Sequence, residues 1–269
     1  MNILKKSEFD KNLQKPLVPL PENPKILVCL VVFNRVGSLE NWFHAWNLSD
    51  QMGAEVLVVN TFNGKSPSLF QVETIVKHKP DYYIQRPNKG RDIGALQDIL
   101  NRRLEPYKKI PEWDILYFTA DDTVPYRRDF LSCFVDKIVD GNDLVGSFYL
   151  KSSNPGRITV NGIRSYDHFR TNCFCLSRPF AETLEFASYP LKDHHAYEFE
   201  FGELSLLNQA KKKGFRYTLC NIEHEDVQRH LANQCTCLPW CDAATRPDVV
   251  WDWNHFNRRG SWDRFREIF

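Results

Sequence analysis

An α/β domain, with a mostly parallel central sheet flanked by helices and a smaller subregion beside it, is the fold this sequence predicts. Three observations carry that expectation. The apolar runs are continuous and rich in β-branched residues, as in KILVCLVVF at 25–33 and EVLVVNT at 55–61, the pattern of strands buried on both faces. Each run is followed by a stretch whose apolar residues recur at helical spacing. The two patterns alternate four times between residues 26 and 140, and parallel strands need such crossover helices.

The elements follow in order. Residues 1–25 hold Pro16, Pro19, Pro21 and Pro24 among polar residues and read as an extended lead-in. After the first strand, Asn34, Arg35, Val36 and Gly37 form a loop. Ser38 then caps a helix with Leu39, Trp42, Phe43 and Trp46 at helical spacing, an aromatic set that belongs to a core rather than to a stacking platform. Ser66-Pro67 opens the next helix, through Val72, Ile75 and Val76. Residues 82–85 make a short third strand, and Arg91-Asp92 lead a helix with Ile93, Leu96, Leu100 and Leu104 on one face. Ile115, Leu116, Tyr117 and Phe118 form a fourth strand, before a helix carrying Phe130, Leu131, Phe134 and Ile138. The remainder is less regular: strands at 144–150, 169–176 and 216–220, a helix at 180–186 opened by Ser177-Arg178-Pro179, and a loop at 189–199. A last helix at 204–213 ends at Gly214, whose missing Cβ suits a left-handed cap.

Bulk properties narrow the function. The 269 residues suffice for one large domain with a sizeable core. A formal net charge of +1 argues against a broad electrostatic grip on nucleic acid or acidic lipid. Residues 1–25 hold Lys5, Lys6, Lys11 and Lys15 but no apolar h-region, so no secretory signal is expected. The longest apolar run, 26–33, is too short for a transmembrane segment. Eight cysteines in a long chain without such a signal are expected to stay reduced thiols, which places the protein in the cytoplasm.

Polar residues gather where the predicted strands end. Asn34 and Arg35 follow the first, Asn60, Thr61 and Asn63 the second, RPNKGRD at 86–92 the third, and Asp121-Asp122 the fourth. In a parallel sheet these ends share one edge, where ligands bind. Lys89 and Arg91 bring positive charge suited to a phosphate, and the backbone at Gly90 offers amide donors ahead of a helix. Asp92 reads equally as a helix N-cap or a ligand contact. Adjacent carboxylates repel one another unless a cation lies between them, and hard divalent cations that bridge phosphates take oxygen ligands of this kind. A merely acidic surface turn is the alternative. There is no G-x-G-x-x-G after the first strand and no G-x-x-x-x-G-K-[ST] anywhere, which disfavours dinucleotide oxidoreductases, glycine-loop methyltransferases and P-loop kinases.

In combination, a first strand ending F-N-R, a second ending V-V-N, RPNKGRDIGAL at 86–96 and LYFTADDT at 116–123 resemble the GT-A glycosyltransferases. The likeness is to the family 2 type, including rhamnan-synthesis-like enzymes with a similar N-x-G-R-D-I-G segment, and covers residues 25–220. It implies a Rossmann-like GT-A fold and a metal-dependent hexosyl- or deoxyhexosyltransferase of polysaccharide biosynthesis. Such an enzyme moves a sugar from a nucleotide diphosphate-sugar, UDP- or dTDP-linked, to a glycan or other hydroxyl acceptor. It implies Mn²⁺ or Mg²⁺ held by Asp121 with Asp122 beside it. Phe33, Asn34, Arg35, Asn60 and Asn63 would line the nucleotide site from the first two strand ends. Asn88, Gly90, Arg91 and Asp92 would line it from the third, with Asp121 opposite. The chain departs from the family pattern at Thr119, where a D-x-D would begin, and at Asn60, where many relatives have an acid facing the base.

An inverting transfer also needs a base for the acceptor hydroxyl. Relatives supply it from G-E-D-x-x-L opening a helix, and FGELSL at 201–206 ahead of Gly214 places Glu203 on the family's Asp. A helix N-terminus would hold it ionised. An ordinary first-turn glutamate is the alternative, with Glu198 and Glu200 as rivals. His224, in IEHED at 222–226, reads as a third metal ligand by resemblance or as a solvated or core histidine. Cys235, Cys237 and Cys241 near His230 have ligand types for zinc, but the spacing matches no common motif and structural cysteines are expected. Cys173 and Cys175 alternate on one strand and pack. Trp251, Trp253 and His255 could stack on an acceptor sugar, though anchoring the tail is the expectation. The implied organisation is the lead-in at 1–25, a transferase domain at 26–225 and a C-terminal extension at 226–269 packed on the core. The domain divides into a nucleotide-binding half, 26–140, and an acceptor half, 141–225. A non-catalytic sugar-nucleotide-binding or scaffold subunit of the same fold is the competing reading, motivated by Thr119 and the altered G-E-L segment.

Overall fold

The computed structural model describes residues 19–33, 36–64, 66–121, 123–124, 128–147, 149–150, 156, 158, 162–220 and 251–252. The first part runs β1 (Ile26–Val32), α1 (Val36–Leu48), β2 (Glu55–Phe62), α2 (Leu69–His78), β3 (Tyr82–Pro87), α3 (Arg91–Asn101), the one-turn α4 (Glu105–Lys108) and β4 (Ile115–Ala120). The second part runs β5 (Thr123–Val124), α5 (Phe130–Val139), β6 (Leu144–Gly146), β7 (Tyr149–Leu150), β8 (His168–Phe169), β9 (Cys173–Ser177) and α6 (Arg178–Ala181). It continues through α7 (Asp193–Phe201), α8 (Leu206–Lys213), β10 (Tyr217–Leu219) and β11 (Trp251–Asp252).

One seven-stranded sheet, in the order β3-β2-β1-β4-β9-β6-β10, spans both parts. Its ladders are parallel except that β9 runs antiparallel to β4 and β6. The mostly parallel α/β sheet expected from the sequence is thus the observed architecture. β1 is buried along its whole length because both faces are covered. Leu27, Cys29 and Val31 join one core with Leu96, Ile99, Phe199 and Leu207. Val28, Leu30 and Val32 join the other with Trp42, Phe43, Trp46, Phe130 and Phe134. The aromatic set of α1 is therefore core, with Trp42 stacked on Trp46 at 5.6 Å between ring centroids. The chain moves outward from β1 to β3, then returns to lay β4 on the other side of β1. That reversal is a topological switch point, and the crevice outside the carboxyl ends of β1 and β4 is where a ligand fits.

Several local expectations fail for physical reasons. Residues 193–201 form α7 rather than continuing a loop, because Ala196 and Phe199 bury one narrow face while histidines and acids surround it. The expected strand at 144–150 divides into β6 and β7. The one at 169–176 divides into β8 and β9, and the 170–172 turn between them carries cleft residues. Gly146 ends β6 where a Cβ would stand 2.6 Å from the Phe169 ring. α3 stops before Arg102, whose φ of +47° leaves the helix, so Leu104 falls outside it. The helix opened by Ser177 is a single turn, and α8 begins at Leu206. β11 pairs antiparallel with β5, Trp251 opposite Val124 and Asp252 opposite Thr123. Among the described residues no helix is long and apolar enough to cross a membrane.

Candidate functional site

A cleft of about 510 Å³ opens at the switch point. Asp121 follows β4 there, 5% exposed. Its amide donates to the Val31 carbonyl at 2.9 Å, and its Oδ2 accepts the Phe33 N–H at 2.6 Å. The carboxylate is therefore tied to the ends of both central strands. Phe33, Asn63, Asn88, Arg91 and Asp92, all predicted from the sequence, line the same cleft with Asp121.

The β3–α3 loop is set by Arg86, itself buried. Its Nε donates to Asp98 Oδ2 at 3.0 Å, Nη2 to the Lys89 carbonyl at 2.8 Å and Nη1 to the Arg91 carbonyl at 3.2 Å. Gly94 lets the loop lie on the helix, since a Cβ there would stand 2.0 Å from the Lys89 oxygen. Arg91 adopts a φ of +55°, a conformation that costs about 1–2 kcal/mol in an L-residue. Its guanidinium sits 4.5 Å from the centre of the Tyr197 ring, a cation–π contact across the cleft edge.

Three expectations are corrected by this geometry. The Gly90 amide does not face a ligand: it donates to Asp193 Oδ1 at 2.7 Å, and Gly90 is buried against Leu191, whose Cβ would lie 2.8 Å from an added Cβ. Asn60 is fully buried with its Nδ2 donating to the Tyr83 hydroxyl at 3.0 Å, because strand alternation gives the cleft side to Thr61. Glu203 lies in the turn between α7 and α8, outside the cleft lining, with its carboxylate 2.7 Å from Lys212 Nζ. That surface pair holds its carboxyl below the usual range.

The two rival acids separate as clearly. Glu198 caps the same turn, its Oε1 accepting the Glu203 N–H at 2.7 Å. Glu200 lines the cleft instead. Burial pushes its carboxyl above the ordinary value, while Arg170 and Arg91 pull the other way. Thr119 is buried outside the cleft, its hydroxyl paired with that of Thr123, which in turn donates to the Ala120 carbonyl at 2.8 Å. Arg170, Thr171, Asn172 and Asp193 complete the second wall and were not singled out from the sequence. An apparent strand ran through the first three, and Asp193 stood in an apparent loop.

Asn34, Arg35, Asp122, His224, His230, Cys235, Cys237, Cys241, Trp253 and His255 lie outside the described residues. Cys173 and Cys175 lie in the buried core, where the Cys173 sulfur meets the Tyr117 hydroxyl at 3.0 Å. Among the described residues no three His, Cys, Asp or Glu side chains converge as a ligand set. Of the acids that line the cleft, Asp121 and Asp92 have the oxygen ligands suited to a hard cation of the kind that takes one or two carboxylates and fills its other positions with phosphate oxygens and water.

No family model matches the sequence, and none of the curated proteins does. Solved structures do align with the fold. A mannosyltransferase from Pyrobaculum calidifontis, in complex with GDP-Man and Mn²⁺, is 16% identical with a TM-score of 0.46, over 79% of this chain and 60% of that one. Glucosyl-3-phosphoglycerate synthase from Mycobacterium tuberculosis, in complex with Mn²⁺, UDP and phosphoglyceric acid, is 13% identical with a TM-score of 0.49, over 90% and 82%. The same enzyme with Mn²⁺, UDP-glucose and glycerol 3-phosphate is 14% identical with a TM-score of 0.46, over 86% and 82%. The alignment thus spans 60% of the mannosyltransferase chain.

Proposed function

We propose that this chain is a metal-dependent glycosyltransferase of the GT-A type. It would transfer a sugar from a UDP- or dTDP-linked nucleotide diphosphate-sugar to a hydroxyl of a glycan acceptor, with inversion. The observation that carries the reading is one cleft at the switch point, into which the first half of the sheet brings a buried Asp121 and the second half brings a half-buried Glu200.

A bound Mn²⁺ or Mg²⁺ would offset charge on the leaving diphosphate. Asp121, with Asp92, would hold it, while Arg91 and Asn88 orient phosphate oxygens. Glu200 takes the proton of the acceptor hydroxyl as that oxygen attacks the anomeric carbon, and the bond to the diphosphate breaks with its electron pair. A carboxyl raised by burial sits closer to working pH than an exposed one and makes the better base. The role that resemblance gave to Glu203 therefore passes to Glu200.

The second reading, a subunit that binds sugar nucleotides without turnover, is favoured by one observation. Thr119 spends its hydroxyl on Thr123 where the family pattern has an acid. Single-turnover assays with Mn²⁺ and a broad acceptor panel separate the two. Glu200→Gln is expected to lower transfer about 10²–10⁴-fold with donor binding intact, Asp121→Ala to abolish metal-dependent binding, and Glu203→Gln to match the parent. Tight binding of a nucleotide sugar by the parent protein, with no transfer to any acceptor, would establish the non-catalytic reading.

A further inference from the structure

Resting on the reading of the cleft as a nucleotide-sugar site, the inference here concerns which residue recognises the sugar. Asn172 is 6% exposed, and neither its carboxamide nitrogen nor its oxygen has a hydrogen-bond partner. Buried polar groups in native folds are almost always paired, so each exception calls for a partner. Buried side chains with unpaired polar atoms also occur at Trp42, Asn60, Gln71, Tyr107, Trp113 and Ser205, but of the described residues in this state only Asn172 lines the cleft.

Its position is set by the sheet. The Asn172 carbonyl accepts the Ala120 N–H at 2.9 Å, which lays residue 172 beside the strand end that carries Asp121. The next residue, Cys173, pairs with Thr119 in the antiparallel ladder. A sugar held by its diphosphate at Asp121, with its anomeric carbon open to an acceptor activated by Glu200, has to lie along this wall. A carboxamide offers two N–H donors and an oxygen acceptor, the complement of two neighbouring hydroxyls. Being neutral, it adds no repulsion beside Asp121, Asp193 and Glu200.

We infer that Asn172 is a specificity-determining residue, its carboxamide binding adjacent hydroxyls of the sugar on the nucleotide diphosphate. Calorimetric titration with Mn²⁺ tests this, using UDP and GDP against their hexose, N-acetylhexosamine and deoxyhexose conjugates. At least one conjugate is expected to bind the parent protein more tightly than its nucleoside diphosphate. In Asn172→Ala that preference falls about tenfold, the loss of one or two hydrogen bonds, while nucleoside diphosphate affinity stays within about twofold of the parent. Asn172→Ser repeats the measurement with a small polar side chain, and an unliganded Tm equal to the parent's shows its fold intact. A sugar preference that survives in both variants overturns the assignment and leaves the nucleotide site standing. So does a parent protein that binds every conjugate no better than its nucleoside diphosphate. A parent protein that binds no nucleoside diphosphate overturns the nucleotide-site reading and the assignment together.

Discussion

The two walls of the cleft are held in different ways. The first, from β1, β2 and the β3–α3 loop, hangs on parallel ladders and on Arg86, whose guanidinium fixes two loop carbonyls. The second, from the 170–172 turn and α7, is pinned across to the first by side chains. Asp193 takes the Gly90 amide, and Gln97 of α3 donates to the Ser188 carbonyl at 2.6 Å and accepts the Leu191 N–H at 2.9 Å. The difference is one of dependence: the wall that carries Asp121 can stand on the sheet, while the wall that carries Glu200 borrows its position from α3. Disturbing the first should therefore damage both, and disturbing the pins should damage only the second.

The largest effect is expected at the root of the first wall. Arg86 and Asp98 are each 8% exposed in their side chains and 3.0 Å apart. Removing one member of such a pair leaves a buried charge, and Arg86→Ala or Asp98→Ala should cost about 3–5 kcal/mol in chemical denaturation. Arg86→Lys keeps the charge but lacks the planar fork that reaches Asp98 and both loop carbonyls together, so it should recover stability and still weaken nucleotide binding. Equal binding by Arg86→Lys and the parent would break the claim that this guanidinium shapes the loop.

Gln97→Ala tests the pins. It unpairs a half-buried carbonyl and a buried amide and should cost about 1–3 kcal/mol. More telling is the functional split. Nucleotide affinity should hold while transfer slows, because the 188–191 segment leading into α7 loses its anchor and the first wall does not. A parallel loss of both would make the two walls a single unit.

The same contrast explains what could be read from the sequence. The first wall was legible because its residues end strands whose apolar runs have no competing interpretation, so Phe33, Asn63, Asn88, Arg91, Asp92 and Asp121 fall where periodicity puts them. Errors within it came from side-chain direction. Asn60 and Thr61 are neighbours, and the sequence does not say which of two alternating positions meets the crevice. The second wall was not legible because its geometry comes from tertiary contacts. An antiparallel β9 inserts between β4 and β6, breaking an apparent strand at Arg170, Thr171 and Asn172. α7 has too narrow a buried face to announce a helix. Glu203 looked apt by motif spacing, yet Lys212 and the capping of its turn by Glu198 hold it at the surface.

A smaller effect should appear in pH dependence. Glu200 must be ionised to accept a proton, and burial raises its carboxyl pKa. Transfer should thus be lost, as pH falls, at a higher pH than an ordinary glutamate would give. Arg170 and Arg91 favour the ionised form, so Arg170→Gln should move the acid limb of kcat further upward. An acid limb that stays put in Arg170→Gln would detach Glu200 from the chemistry.

The smallest effect is expected at Lys212, and it is informative for that reason. Lys212 and Glu203 pair at 2.7 Å with side chains 58% and 61% exposed, a setting in which solvent screening leaves an ion pair little net worth. Lys212→Met should leave the Tm, nucleotide affinity and transfer rate where they were. Freed from its partner, the Glu203 carboxyl should titrate closer to an ordinary glutamate, since that pairing is what depresses it. NMR titration of the side chain can follow the change while kcat is measured on the same sample. A shift in titration with no shift in the pH–rate profile separates Glu203 from catalysis. A profile that moves with it would return the role of base to Glu203 and leave the second wall without a catalytic residue.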